Sequence, residues 1–201
     1  MVVGVIGDKQ RLDDLGLVQT DSIEVVHAPS LQDFLIKPDA LFFLEDEEYL
    51  AAAMPQLKAF NCLVIVNAVA NTLQNMPAHF CRINGWPGFL TRPLWEVAAR
   101  EADVERLSDL FSLLNKKVSF VADEPGMISA RTIAMIINEA FFALQDGVST
   151  RDEIDMAMKL GTNYPYGPFE WCSKIGAHRI SSLLRCLAVK EAIYQPALQL
   201  L

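Results

Sequence analysis

Four short apolar runs, VVGVIG (2–7), IEVVH (23–27), ALFFLE (40–45) and CLVIVN (62–67), leave this chain few choices of fold. Each is β-branched or aromatic and bounded by charge or turn residues, the pattern of strands buried on both faces of a parallel sheet. Fifteen residues, DKQRLDDLGLVQTDS, separate the first two runs, close to the dozen or so that a crossover helix needs. An α/β arrangement with unusually short connections follows.

The periodicity changes from about residue 98. AAREADVERLSDLFSLLNK sets Val104, Leu107, Leu110, Phe111 and Leu114 on one helical face, and VSFVAD (118–123) reads as a further strand. PGMISARTIAMIINEAFFALQDG then wraps apolar residues far around a long helix, with Gly147 suited to its C-terminal end. In STRDEIDMAMKLG, Thr150 and Glu153 form a capping-box pattern and Gly161 is expected to close the helix. GPFEW (167–171) places Pro168 at a first helical position and Glu170 in the first turn. The tail HRISSLLRCLAVKEAIY is helical as well. The expected organisation is α/β then all-α, with domains at 1–123 and 124–201.

Charge supports the division. The net charge is −8 and the pI about 4.9; residues 1–124 hold ten Lys/Arg against eighteen Asp/Glu, whereas 125–201 hold seven against seven. Such a balance repels a phosphate backbone, so nucleic acid is excluded as an expected partner. No run of eighteen apolar residues occurs, and MVVGVIGD lacks the basic start of a signal peptide. A cytoplasmic protein with no membrane association is expected. Cys62, Cys81, Cys172 and Cys186 are widely spaced, which suggests neither a metal site nor a disulfide framework, and all four read as small core residues.

DEPG (123–126), the long helix after it, DEIDMAMKLGTNYPYGPFEW (152–171) and LWEV (94–97) resemble the corresponding segments of the NAD-dependent 3-hydroxyacyl-CoA dehydrogenases. The resemblance is strongest over 94–176; before Leu94 it is to an outline. It implies a reduced Rossmann-like parallel sheet, a helical C-terminal domain that forms a homodimer, and an acyl-CoA-type ligand between them. In that family a histidine moves the hydroxyl proton and a glutamate about a dozen residues later supports it, since imidazole titrates near neutrality and a carboxylate fixes its tautomer. Glu96 matches the glutamate.

Counting back from Glu96 puts Asn84, at the end of CRIN (81–84), at the base position. An asparagine cannot take the proton. An alternative register makes His79 of the His79-Phe80 pair the base. The family's substrate-contacting asparagine corresponds to Ala130, and its hydroxyl residue falls near Asn71 or Thr72.

The cofactor positions are altered too. A dinucleotide fold needs G-x-G-x-x-G after the first strand, and here the string is GDKQRL: Gly7 remains, while Lys9 and Leu12 replace the other glycines. The second strand ends at His27-Ala28-Pro29, without the acid that holds a ribose. Lys9 could meet a phosphate, yet Asp8, Asp13 and Asp14 surround it in a strongly acidic domain. The expectation is that no cofactor binds, and that NAD is the cofactor if the protein is active.

Structural readings stand beside these. Glu96 could pair with Arg92 at i−4 on a helix, Glu170 could serve a helix dipole, and Trp86, Phe89, Trp95 and Trp171 could be core aromatics. Three functions remain open: a member that has lost hydride transfer but keeps a ligand cleft or assembly role, a working 3-hydroxyacyl-CoA or small 3-hydroxy acid dehydrogenase of fatty-acid metabolism, and a non-catalytic partner subunit.

Overall fold

The computed structural model describes residues 1–200, which divide into two compact units after Met127. The first unit is a seven-stranded sheet of β1 (Val2–Ile6), β2 (Glu24–Ala28), β3 (Ala40–Phe43), β4 (Leu63–Asn67), β5 (Phe80–Ile83), β6 (Leu94–Ala98) and β7 (Lys117–Phe120), in the order β2-β1-β3-β4-β5-β6-β7. Its helices are α1 (Lys9–Leu15), α2 (Glu47–Leu57) and α3 (Val104–Leu113).

Strict alternation along the strands builds two cores. Val3, Val5, Phe42, Ile65, Cys81 and Ile83 pack on one face with Leu15 of α1 and Leu107, Leu110 and Phe111 of α3. Ile6, Leu41, Phe43, Val64, Val66 and Phe80 point the other way and pack with Leu50 and Leu57 of α2. Both faces of the central strands are therefore dry, which is why their sequences read as continuous apolar runs.

The sheet is parallel except between β5 and β6. The connection over 84–93 contains no helix and is too short for a crossover, so the chain returns antiparallel. LWEV is thus a strand, with Glu96 registered against Ser119; the expected helical i−4 spacing of Arg92 and Glu96 does not exist. Cys62, Cys81 and Cys172 are buried as expected, but Cys186 is exposed.

The second unit is helical: α4 (Ser129–Gln145), α5 (Arg151–Thr162), α6 (Pro168–Ile175) and α7 (Ala177–Ala188). Asn138, 1% exposed, clamps the C-terminal segment to α4 by donating to Gln195 O (2.9 Å) and accepting from Ala197 N–H (2.8 Å). The Thr150–Glu153 capping box forms, and Ser149 also donates to Glu153 (2.6 Å).

The distinctive YPYGPFE segment is a capping joint. Asp155 of α5, a buried carboxylate, accepts from Phe169 N–H (2.8 Å) and Glu170 N–H (3.1 Å) at the start of α6. Glu170 reaches back to Gly167 N–H (2.9 Å) and pairs with Lys159 (2.5 Å). Pro168 occupies the first helical position. A Cβ on Gly167 would lie 2.3 Å from Asp155 Oδ1, so only glycine admits the cap. Gly161 does not close α5; the helix continues to Thr162 and Asn163 takes the left-handed conformation instead (φ 55°).

Two glycines six residues apart should therefore behave oppositely. Gly161→Ala, where a Cβ meets nothing within 4 Å, is expected to stabilise by about 0.5 kcal/mol, and Gly167→Ala to destabilise by about 2 kcal/mol, measured by urea unfolding. Glu153 supplies a pH signature: hydrogen bonds from Ser149 and Thr150 hold its carboxyl down to about 2. A carboxyl depressed on folding contributes stability that is present above its ordinary value and lost as pH falls through the folded one. Glu153→Gln should therefore flatten the loss of stability between about pH 4.5 and 2.

Candidate functional site

In open α/β sheets ligands sit beyond the carboxyl ends of the strands where the strand order reverses. Here that point lies between β1 and β3, because β1 leads outward to β2 while β3 leads inward to β4. Gly7 ends β1 with φ 151°, and a Cβ there would come within 3.2 Å of Leu44 Cβ. The loop keeps its glycine for this close passage. Its carbonyl meets His27 Nε2 at 2.8 Å.

The next residues close the crevice from within. Asp8 caps α1, its Oδ1 accepting from Arg11 N–H (2.8 Å). The Arg11 guanidinium then crosses the mouth, donating to Gly85 O (2.8 Å) after β5 and pairing with Asp46 (2.5 Å) after β3. Lys9 is exposed at the first helical position. Burial, and secondarily Asp46, raises the pKa of the adjacent Glu45.

A second carboxylate fills the loop beyond β4. Glu47, at the start of α2, accepts the backbone N–H groups of Val69 (3.0 Å), Ala70 (2.9 Å) and Asn71. Three successive amides aimed at one point form an anion-binding concavity, and the chain's own side chain occupies it. Asn71 is exposed, and Thr72 begins a 3-10 turn without capping it through its side chain. Asn67 at the end of β4 accepts from Gly85 N–H (3.0 Å) and donates to Glu45 O (3.3 Å), tying three strand ends together.

Sequence reading passed over Arg82. It is fully buried; it donates from Nε to Asp123 (2.6 Å), and from its terminal nitrogens to Ala68 O (3.2 Å), Val69 O (3.4 Å) and Glu124 O (2.6 Å). Asp123 also accepts from Leu73 N–H (2.9 Å). The DEPG turn is thus fastened to the loop that holds Glu47. A lone cation between Cys81 and Ile83 in an otherwise apolar strand was the available signal. Arg100 does similar work nearby, donating to the carbonyls of Leu73, Met76, Pro77, Ala78 and Phe80 (2.7–3.3 Å).

The β5–β6 register pairs Ile83 with Val97, and continuing it one residue sets Asn84 opposite Glu96, with both side chains on one face. Asn84 is 6% exposed and accepts from Trp86 N–H (3.2 Å), so it also shapes the turn that follows. Glu96 is half-buried, and its charge opposes the lowering of Arg92 by burial, so the two interact although not along a helix. His79 precedes β5, at the other edge of the sheet. Five strand positions, about 16 Å, separate it from Asn84, so the structure does not bring His79 to Glu96. In the helical unit, Ala130 is fully buried in the first turn of α4. Trp86, Phe89, Trp95 and Trp171 are all core residues.

The crevice can organise backbone but has little left to offer an incoming anion. A pyrophosphate needs free amides at the helix start and room beside the glycine loop; the Asp8 carboxylate, the Arg11–Asp46 pair and Glu47 take those positions. The residues present do not fit a dinucleotide. Among the described residues, no cluster of three His, Cys, Asp or Glu could hold a metal, and no helix is long and apolar enough to cross a membrane.

Residues 126–199 match the family model of the 3-hydroxyacyl-CoA dehydrogenase C-terminal domain. A 72-residue segment, 36% of the chain, is 56% identical to 3-hydroxyadipyl-CoA dehydrogenase of Escherichia coli, and covers 15% of that protein. A 102-residue segment, half of the chain, is 33% identical to 3-hydroxybutyryl-CoA dehydrogenase of Bradyrhizobium diazoefficiens and covers 35% of it. The chain thus matches only a minor part of these relatives' length. Among solved structures, the (S)-3-hydroxybutyryl-CoA dehydrogenase of Ralstonia eutropha superposes over 99% of this chain and 91% of its own, with TM-score 0.73 and 20% identity, a likeness of fold. An Escherichia coli 3-hydroxybutyryl-CoA dehydrogenase is similar at 34% identity over 68% of this chain and 30% of its own, TM-score 0.58.

Because Arg82 is the buried cation that Asp123 and three carbonyls share, Arg82→Met should cost about 3 kcal/mol or more, read by urea unfolding. Loss of protection from hydrogen exchange at the amides of Leu73 and Gly126 should accompany it.

Proposed function

We propose that this chain, which belongs to the 3-hydroxyacyl-CoA dehydrogenase family through its helical unit, does not transfer hydride and keeps the family scaffold for an acyl-CoA-type ligand or for assembly. The observation that carries this reading is the self-filled crevice: Asp8 caps α1, Arg11 is spent on Asp46 and Gly85, and Glu47 holds three amides of the β4 loop. No cofactor is therefore assigned. The opposed Asn84 and Glu96 support it independently, as a pair that aligns with an acid/base dyad but lacks a group to accept the proton. Asn71, Thr72 and Ala130 stand at the family's substrate positions in this reading, and Ala130 offers only a buried methyl.

Assembly would run through the helical unit as a homodimer. Of the twelve residues of α5 only Asp155 is buried, while Met156 and Leu160, one turn apart, are 57% and 81% exposed. That apolar pair on a lightly covered helix is the surface a second copy would cover. A helix with so little burial of its own gains most from such cover.

Calorimetric titration with NADH and NAD, followed by an assay of NADH oxidation with acetoacetyl-CoA, tests the reading. No saturable heat at micromolar cofactor and no turnover are expected. Asn84→His should not create turnover, because restoring a base leaves the crevice closed. NADH-dependent turnover by the wild type that is lost in Glu96→Ala would overturn the proposal in favour of a working dehydrogenase.

A further inference from the structure

The β2–β3 connection carries no crossover helix, only a 3-10 turn over Leu31–Asp33 and an irregular stretch to Asp39. In a parallel sheet such a connection normally lays a helix over the sheet face. Here its place is taken by a single side chain. The Phe34 ring lies so close to β1 that a Cβ on Gly4 would come within 2.4 Å of it, which explains a glycine inside that strand.

Beside Phe34 the chain leaves a cavity of about 660 Å³ between this connection and the turn that follows α2. Sites for small ligands span roughly 300–1,000 Å³ and combine apolar walls with a few polar groups. Phe34 and Phe60 supply an aromatic wall, their rings 6.1 Å apart and tilted by 55°. Gln56 and Asn61 add amides at the rim.

Two charges line the cavity, Asp39 and Lys37. They are not equivalent. Asp39 is already engaged, its Oδ2 accepting from Val2 N–H (2.7 Å). Lys37 is exposed and has no ion-pair partner among the described residues. In a unit whose charge is otherwise strongly negative, an uncommitted ammonium beside an aromatic wall selects an anion with an apolar body. The cavity lies at the amino ends of β3 and β4, because Asp39 precedes one and Asn61 shortly precedes the other. It is thus at the opposite edge of the sheet from Gly7 and Asn84, and owes nothing to the dehydrogenase crevice.

We propose that this cavity binds a small carboxylate with an apolar body, its chain or ring against Phe34 and Phe60 and its carboxylate on Lys37. Octanoate and 2-naphthoate are the probes, one aliphatic and one aryl, with octanamide as the neutral counterpart of the first. Chemical-shift mapping on the full chain should show saturable changes at Phe34, Lys37 and Phe60 with at least one carboxylate, and the stronger of the two identifies the body that is preferred. Lys37→Gln, a surface change that leaves the fold intact, should weaken the carboxylate by about fivefold and leave octanamide unchanged. Ala59→Trp, at an exposed lining position, should abolish binding of the carboxylates by filling the cavity. No saturable shift with either carboxylate would overturn the proposal, as would a carboxylate affinity untouched by Lys37→Gln.

Discussion

The first unit is organised around one buried guanidinium. Arg82 leaves the middle of β5 toward the face that α2 covers, where no water can solvate it. A charge in that position is tolerable only with its donors satisfied, and the satisfying groups come from two separate segments: Asp123 and Glu124 O of the DEPG turn, and the carbonyls of Ala68 and Val69. Satisfying Arg82 therefore fixes where the DEPG turn meets the loop after β4. Gly126 N–H, bonded to Val69 O at 2.8 Å, completes the join.

That join has a consequence for chemistry. With the loop held by its carbonyls on one side, the amides of residues 69–71 point to the other, toward the start of α2, and Glu47 supplies the anion they require. The same economy recurs at α1, where Asp8 rather than a ligand takes the first-turn amide. An acidic sequence that surrounds phosphate-type geometry with its own carboxylates satisfies its backbone internally. The cost is that an incoming phosphate meets occupied donors and like charge.

Much of the scaffold was legible from sequence because it depends on local rules. The strands through β4 follow from apolar runs, and the Thr150–Glu153 box and the Pro168 start of α6 follow from capping chemistry. The β6 strand was not legible, because LWEV is too short for its period to separate strand from helix, and its pairing is set by a partner far along the chain. Asn163 displaced Gly161 as the end of α5 because asparagine also tolerates the left-handed conformation, and the Asp155 cap of α6 fixes where the next helix must begin. At the candidate site, Asn84 and Glu96 could be matched by counting residues. The roles of Arg82 and Glu47 could not, since both arise from contacts across more than twenty residues of sequence.

The central claim is that the anion-receptive amides of the crevice are already used by the chain. Titrating the protein with inorganic pyrophosphate while following the backbone amide resonances of Arg11, Val69, Ala70 and Asn71 tests it at the atoms concerned. The account predicts that these four signals stay in place in the wild type. Saturable movement of the four together would contradict it, because it would mean that Asp8 and Glu47 yield their amides to a phosphate.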